Sequence, residues 1–476
     1  MKVLAIDQGT TGTKAFTLDD AGQFNKVAGF EHAQHYPHAG WVEHDANELL
    51  AHVTACIAAA GRVDAIGIDN QGETIVAWDA QTGQPITRAI VWQDDRTKDV
   101  TERLKSEGAE ELTQARAGLP LDPYFSAAKM GWIIGHVPEA KALLNQGRLR
   151  IATSDAFLLD RLTGVYATDV TTASRTSLMS LDTLQWDDDL LELFGVPREV
   201  LPEIRATTGP FGQHKGIPVT ASLVDQQAAL FGHGCMKTGD AKITFGTGAF
   251  ALAIAGNTRP PRNASGLAAT VAWQMGTTPA AYALDGAVYN AASAVNWAKS
   301  LGLFSSYSEI NSFAAPSALS RGIVFVPALS GLACPHWDRG ASGLWIGLGL
   351  DTSKADMMQA LLEGVALRAA EVMKAMSAML PLGETISVDG GLANNDYVMG
   401  FLANALNRTL TVASSTELTA LGTARMAMQG LAHMKTGAMD LPPLPPPSRV
   451  FRSDHPLTDD LHARFGDAVS RAKAWR

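Results

Sequence analysis

Cysteine is scarce in this chain, and the three that occur, Cys56, Cys235 and Cys334, are odd in number and far apart. They form no Cys-x-x-Cys pair and no even framework, which argues against a disulfide scaffold or thiolate metal site and leaves reduced, packed thiols. Basic residues are also in deficit: 38 Lys and Arg stand against 48 Asp and Glu, a formal net charge of −10. With no cluster of Lys and Arg, a nucleic-acid surface is not expected. No apolar run reaches the ~18 residues of a membrane span, and Met1 leads straight into a strand without a basic segment and cleavage site. Neither a membrane span nor a secretion signal is therefore expected, and the cytoplasm is the default. Two catalytic signatures are missing as well. Gly-Lys never occurs and no G-x-S-x-G is found, so a P-loop and a serine nucleophile elbow are excluded. His32, His35, His38 and His44 lie among Pro37, Gly40 and Trp41 with spacings that suit no single helical face. A surface loop or strand is expected there in preference to a zinc site.

What is present points to phosphate. Met1-Lys-Val-Leu-Ala-Ile-Asp7 reads as a buried strand that breaks into Gln8-Gly-Thr-Thr-Gly-Thr13, and Ile243-Thr-Phe-Gly-Thr-Gly248 is a shortened echo of it. In both, an apolar run meets a Gly/Thr turn and a second apolar run comes after it, so hydroxyls and backbone N–H groups line a bend. Glycine admits a close ligand, threonine adds donors, and Asp7 at the strand end can reach a hydrated Mg²⁺. Two copies, each near the start of a half-chain, imply two related domains facing one nucleotide.

The order of elements agrees. With ~150 residues per domain as a soft prior, 476 residues suggest two or three domains. Strands are expected at Val3 to Ile6, Ala15 to Leu18 and Val63 to Ile68, a helix from about Ala46 to Ala60, and a continuation of the sheet at Ile75 to Trp78 and Ala89 to Trp92. Lys98 to Leu162 is mainly helical by spacing, and Gly216 to Thr220 opens a strand that runs to Asp225. The programme restarts near Lys237, with strands at Lys242 to Thr244 and Phe250 to Ala255, helices near Ala287 to Lys299 and Lys354 to Met379, a strand over Thr385 to Asp389, and a last helix from about Leu421. The fold class expected is α/β, with a first domain over 1–232, a second over 233–440, and a Pro-rich extended linker and terminal helix over 441–476. Asp225, at the end of an apolar strand and just before a helix, is the candidate general base for phosphoryl transfer to a hydroxyl; helix capping is the structural alternative.

Six collinear motifs resemble the FGGY carbohydrate kinases, and within them the glycerol kinases: Asp7-Gln-Gly-Thr-Thr11, Gly40-Trp-Val-Glu-His-Asp45, Ala89-Ile-Val-Trp-Gln-Asp94, Asp122-Pro-Tyr-Phe-Ser126, Asp225-Gln-Gln-Ala-Ala-Leu-Phe231 and Asp389-Gly-Gly391. The likeness extends from residue 1 to about 430. It implies two actin-like or hexokinase-like (ribonuclease H-like) domains closing over ATP and a polyol or sugar, with glycerol as the foremost acceptor and a homodimer or homotetramer as the assembly. By motif match, Asp7 would help place Mg²⁺. Thr10, Thr11, Gly12 and Lys14 would hold terminal phosphates, with Thr247 meeting them from the other domain. Ala292, Asn296, Gly391 and Asn395 match positions that touch the nucleotide. Glu73, Tyr124, Asp225 and Gln226 would bind acceptor hydroxyls, with Trp92 and Phe250 flanking its carbon chain. One departure bears on the substrate. Asn70-Gln-Gly72-Glu-Thr74 carries glycine where glycerol kinases carry a substrate-binding arginine, so a longer polyol or a ketose is the alternative acceptor.

Overall fold

The computed structural model describes residues 1–262, 266–435, 437 and 439–475. Two twisted sheets repeat one plan. In the first, β1 (Lys2–Gln8), β2 (Gly12–Asp19) and β3 (Phe24–Glu31) form an antiparallel meander. After helix α1 (Ala46–Ala59), β4 (Ala65–Asn70) pairs parallel with β1, and β5 (Ile217–Val224) pairs parallel with β4. The chain then enters α2 (Asp225–Gly232) and begins again. In the second sheet β6 (Ala241–Phe245) and β7 (Ala249–Gly256) are antiparallel neighbours, extended by β8 (Ala268–Trp273) and β9 (Ala281–Val288). Helices α3 (Ala292–Ser300) and α4 (Lys354–Ser377) precede β10 (Thr385–Gly390), which pairs parallel with β6, and β11 (Thr409–Val412) pairs parallel with β10. Val3 to Ile6 and Ile66 to Ile68 are buried throughout, as parallel strands covered on both faces should be. Asp45 caps α1, its carboxylate accepting from the backbone N–H groups of Asn47 and Glu48.

The two halves are joined by more than the chain. Helix α5 (Leu418–Lys435) comes after the second sheet in sequence but lies against β1, β4, β5 and α2 of the first half. The approach is made at backbone level: a Cβ on Gly422 would stand 1.8 Å from the carbonyl oxygen of Ala228, so only glycine fits that crossing.

Several expectations change. Ile75–Asp79 and Ala89–Ile90 do not continue the first sheet; with Glu43–His44 and Leu149–Thr153 they make a separate four-stranded sheet. The cause is the tight turn after β4, where Thr74 N–H donates to Gly72 C=O and redirects the chain. The helix expected from Ala287 begins at Ala292, because Ala287 and Val288 pair with Phe250 and Ala249 as the end of β9. The Pro-rich stretch 441–447 has no regular structure, as expected. The segment beyond it is integral to the second half: β12 (Arg449–Phe451) edges the sheet beside β11, and α6 (Asp459–Ala472) buries Phe465, Ala468, Val469 and Ala472 in that core. Of the four clustered histidines, His32 and His44 are buried, bonded to Thr13 and His52 and to Gln71 respectively. The three cysteines are free and buried. Among the described residues no helix is long and apolar enough to cross a membrane.

Candidate active site

A cavity of about 660 Å³ lies between the halves, and its walls hold Thr10, Thr11, Gly72, Glu73, Trp92, Tyr124, Asp225, Gln226, Thr247 and Phe250. All of these but Gly72 carry a role expected from the sequence, and Gly72 is the departure. Strand ends bring them together. Both Gly/Thr turns come directly after the first strand of a half, the parallel pairing sets Asp69 beside Asp7, and β5 delivers Asp225 to the same edge. Asp225 is the first residue of α2. Val224 occupies the cap position and no side chain caps this helix, so the Asp225 carboxylate is not spent on capping. Burial, reinforced by the charges of Glu73 and Asp7, pushes its pKa up to about 7.

Glu73 is the central residue of a three-residue turn and has φ 60°. That conformation is strained for a residue with a side chain, and it persists here because the surroundings fix it. Ser126 donates its hydroxyl to Glu73 C=O, and the Arg175 Nε–H donates to Glu73 Oε1 at 2.7 Å. Trp92 stands edge-on to Tyr124 and to Phe250, with ring centroids 5.6 Å and 6.4 Å away. Its indole N–H donates to Thr10 Oγ1 at 2.9 Å, so an aromatic wall of the cavity is tied directly to the first turn. Beneath Tyr124, buried Lys129 donates to the carbonyls of Pro123 and Tyr124, and burial lowers its pKa to about 8.

Acidity is concentrated at the first turn. Asp7 and Asp69 are register partners with interacting carboxyls. Burial is the main cause of their elevation, with the charge of Asp7 adding to that of Asp69: Asp7 rises to about 6 and Asp69 lies well above the carboxylate range. One proton shared between them is the physical consequence. Thr423 of α5 donates to Asp69 Oδ2 at 2.6 Å, while Asp69 Oδ1 meets no donor other than the proton shared with Asp7.

The family assignment rests on comparison with known proteins. The model of the N-terminal domain of the FGGY family of carbohydrate kinases matches residues 2–232, and that of the C-terminal domain matches residues 241–431. The chain belongs to the FGGY family of carbohydrate kinases. It is 41% identical to a glycerol kinase of Thermus brockianus, over 99% of both chains, and 40% identical to one of Citrifermentans bemidjiense, over 92% of both. Among solved structures, the glycerol kinase of Plasmodium falciparum with ADP superposes with a TM-score of 0.89 at 30% identity, covering 99% of this chain and 98% of that one. A xylulose kinase of Brucella ovis, 23% identical, shares the fold with a TM-score of 0.85 over 99% of this chain and 98% of that one. This FGGY kinase is therefore a phosphotransferase with the two-domain actin-like fold.

The remaining predicted positions of the FGGY kinase are not among the lining residues of the cavity. Lys14 forms an ion pair with Glu417 at 3.0 Å. Ala292 donates its backbone N–H to Gly246 C=O and so braces the second turn. Asn296 is exposed and accepts from the Tyr307 hydroxyl, and Gly391 is exposed at the end of β10. Asn395 has both ends of its amide engaged, Nδ2 with Ile310 C=O and Oδ1 with Val398 N–H.

Sequence reasoning missed Arg175, Lys242 and Asp285. Lys242 is fully buried and donates to Gln226 Oε1 at 2.7 Å and to Thr244 Oγ1 at 2.9 Å, joining an acceptor-side amide to the strand of the second turn. Asp285 forms an ion pair with Arg175 Nη2 at 2.8 Å. A signal existed for two of them, since Lys242 and Asp285 interrupt otherwise apolar strands and a charge there needs a buried partner. Arg175 sits in Ala173-Ser-Arg-Thr176, where no periodicity marks it.

Proposed function

We propose that this enzyme is an ATP-dependent kinase that transfers a phosphoryl group to a primary hydroxyl of a small polyol, glycerol foremost, giving glycerol 3-phosphate. The observation that carries the reading is a single cavity joining a carboxyl whose pKa lies near 7, Asp225, to aromatic walls and two Gly/Thr turns. The near-full-length likeness to two glycerol kinases supports the acceptor. In this reading Asp225 takes the proton of the attacking hydroxyl, and a pKa near working pH suits a general base. Glu73, Tyr124 and Gln226 orient hydroxyls, while Trp92 and Phe250 cover the C–H faces that a polyol also presents. Thr10, Thr11 and Gly12 hold terminal phosphates from one side and Thr247 from the other, with Lys14 adding charge once released from Glu417. Ala292, Asn296, Gly391 and Asn395 would contact the nucleotide.

Magnesium fits the residues at the first turn. Two facing carboxyls of raised pKa that share one proton form a site that a divalent cation relieves. Asp7 would hold the ion with Asp69 behind it, and Mg²⁺ characteristically takes one or two carboxylates together with substrate phosphates. Bound there, it would neutralise charge on the transferring group.

Gly72 favours a second reading, in which a longer polyol or a pentulose is the acceptor. Release of ADP measured with glycerol, tetritols, pentitols and pentuloses distinguishes the two. Asp225→Asn should lower turnover with the best acceptor by about 10²–10⁴-fold while leaving the melting temperature nearly unchanged; unaltered turnover would remove Asp225 as the base.

A further inference from the structure

We infer that the guanidinium of the acceptor site is supplied by Arg175, across the cavity wall from the position where a glycerol kinase would supply one at residue 72. The inference rests on the polyol-kinase reading and names a specificity-determining residue within it. Arg175 is buried and lines the cavity together with Gly72, Glu73, Tyr124 and Asp225. Two of its three nitrogens are committed: Nε donates to Glu73 Oε1 at 2.7 Å and Nη2 is ion-paired with Asp285 Oδ2 at 2.8 Å. The third, Nη1, is buried with no hydrogen-bond partner, the guanidinium otherwise lying over the Phe125 ring at 5.4 Å from its centroid. An unpaired donor on a buried cation is costly, so such a group calls for a ligand oxygen. Burial alone would lower the pKa of Arg175, but Asp285 and Glu73 outweigh it and keep the group charged. Held at two corners by carboxylates from both halves of the molecule, the fork is preorganised for an acceptor hydroxyl.

Residue 72 cannot do this work here. Its φ is not in the left-handed region, so the backbone itself would accept a side chain. The obstacle is Val224: a Cβ at residue 72 would stand 2.5 Å from Val224 Cγ2, whereas the Cβ of Val224 is 3.9 Å away. Gly72 and Val224 thus behave as a packed pair. Trimming Val224 to alanine removes the blocking methyl and leaves an ordinary contact.

The test is ADP release by wild type, Arg175→Gln and Arg175→Lys, with acceptor and ATP varied separately, on glycerol, propane-1,2-diol and propane-1,3-diol. For Arg175→Gln the glycerol KM should rise about 10-fold to 100-fold, the cost of one charged hydrogen bond, with the ATP KM within about 3-fold of wild type. Arg175→Lys retains a cation for Glu73 and Asp285, so it remains informative if the glutamine variant does not fold, and its glycerol KM should also rise. The diol lacking the hydroxyl that meets Nη1 should show no such rise. Gly72→Arg combined with Val224→Ala in the Arg175→Gln background should restore glycerol affinity, and Gly72→Arg alone should not. If wild type phosphorylates glycerol but both Arg175 variants keep its KM, or lose equally on all three acceptors, Arg175 is only structural and this inference falls alone. If wild type releases no acceptor-dependent ADP with any polyol or pentulose, the kinase reading falls and takes this one with it.

Discussion

The two halves place an aspartate at one register position and give it opposite surroundings. In the first sheet Asp69 of β4 stands beside Asp7 of β1; in the second Asp389 of β10 stands beside Thr244 of β6. Asp69 meets a second carboxyl, and burial together with that charge carries it well above the ordinary range. Burial pushes Asp389 the same way, but the His233 ring, the Lys242 ammonium and the Thr244 hydroxyl outweigh it and hold the carboxyl low. The residue opposite, Asp7 against Thr244, together with the nearby His233 and Lys242, therefore separates a pair of facing carboxyls from a carboxylate whose charge is already met. The same topology can be duplicated without duplicating its chemistry, because strand pairing fixes where side chains meet and not which ones do.

Exchanging the deciding residue tests that contrast most severely. Asp7→Asn should reduce turnover by about 100-fold or more, since the carboxylate proposed to place Mg²⁺ is gone. The same change should raise the melting temperature of the ligand-free protein at pH 8 by roughly 1–3 °C, because the asparagine amide gives Asp69 Oδ1 a donor and removes a buried charge. A fall in both quantities would mean that Asp7 is structural and the contrast with Thr244 incidental. A pH series sharpens the point. Asp7 and Asp225 titrate near 6 and 7 in the folded chain, above the ordinary carboxylate value of 3.8. Groups raised on folding stabilise fully below the unfolded value and lose that contribution as pH rises through the folded one. The ligand-free melting temperature should therefore decline between about pH 4 and 7, while kcat/KM climbs over pH 6 to 8 as Asp225 gives up its proton. A flat kcat/KM profile over that range would contradict the role of Asp225. The smallest effect is expected at the second turn, where no carboxyl pair is at stake. Thr247→Val should raise the ATP KM only about 5-fold, the worth of one neutral hydrogen bond. A loss as large as that of Asp7→Asn would show the two turns to be equal partners.

Much of this architecture was legible in the chain. The apolar runs of β1, β4 and β6, the alternating pattern of β10 and the breaks of β1 and β6 into Gly/Thr turns are local signals, and local signals suffice for elements of that kind. The cavity wall was legible too, through motifs whose members stand within a few residues of a strand end or, for Tyr124, just ahead of the helix Ser126–His136. The separate sheet of Ile75–Asp79 and Leu149–Thr153 was not, since alternation marks a strand without naming its neighbour. Nor did sequence order reveal that α5, from the second half, supplies Thr423 to Asp69 and stands next to Glu417, the partner of Lys14.

Local pattern and motif settled by themselves that this is an α/β chain of two similar halves with a Gly/Thr turn in each, because strand, turn and helix are encoded over a few residues. Only the tertiary structure decided what stands opposite what. The proton shared by Asp7 and Asp69, the neutralised Asp389, the methyl of Val224 against Gly72 and the unpaired nitrogen of Arg175 are contacts between segments distant in sequence. Their energies come from distance and burial, and neither exists until the chain has folded.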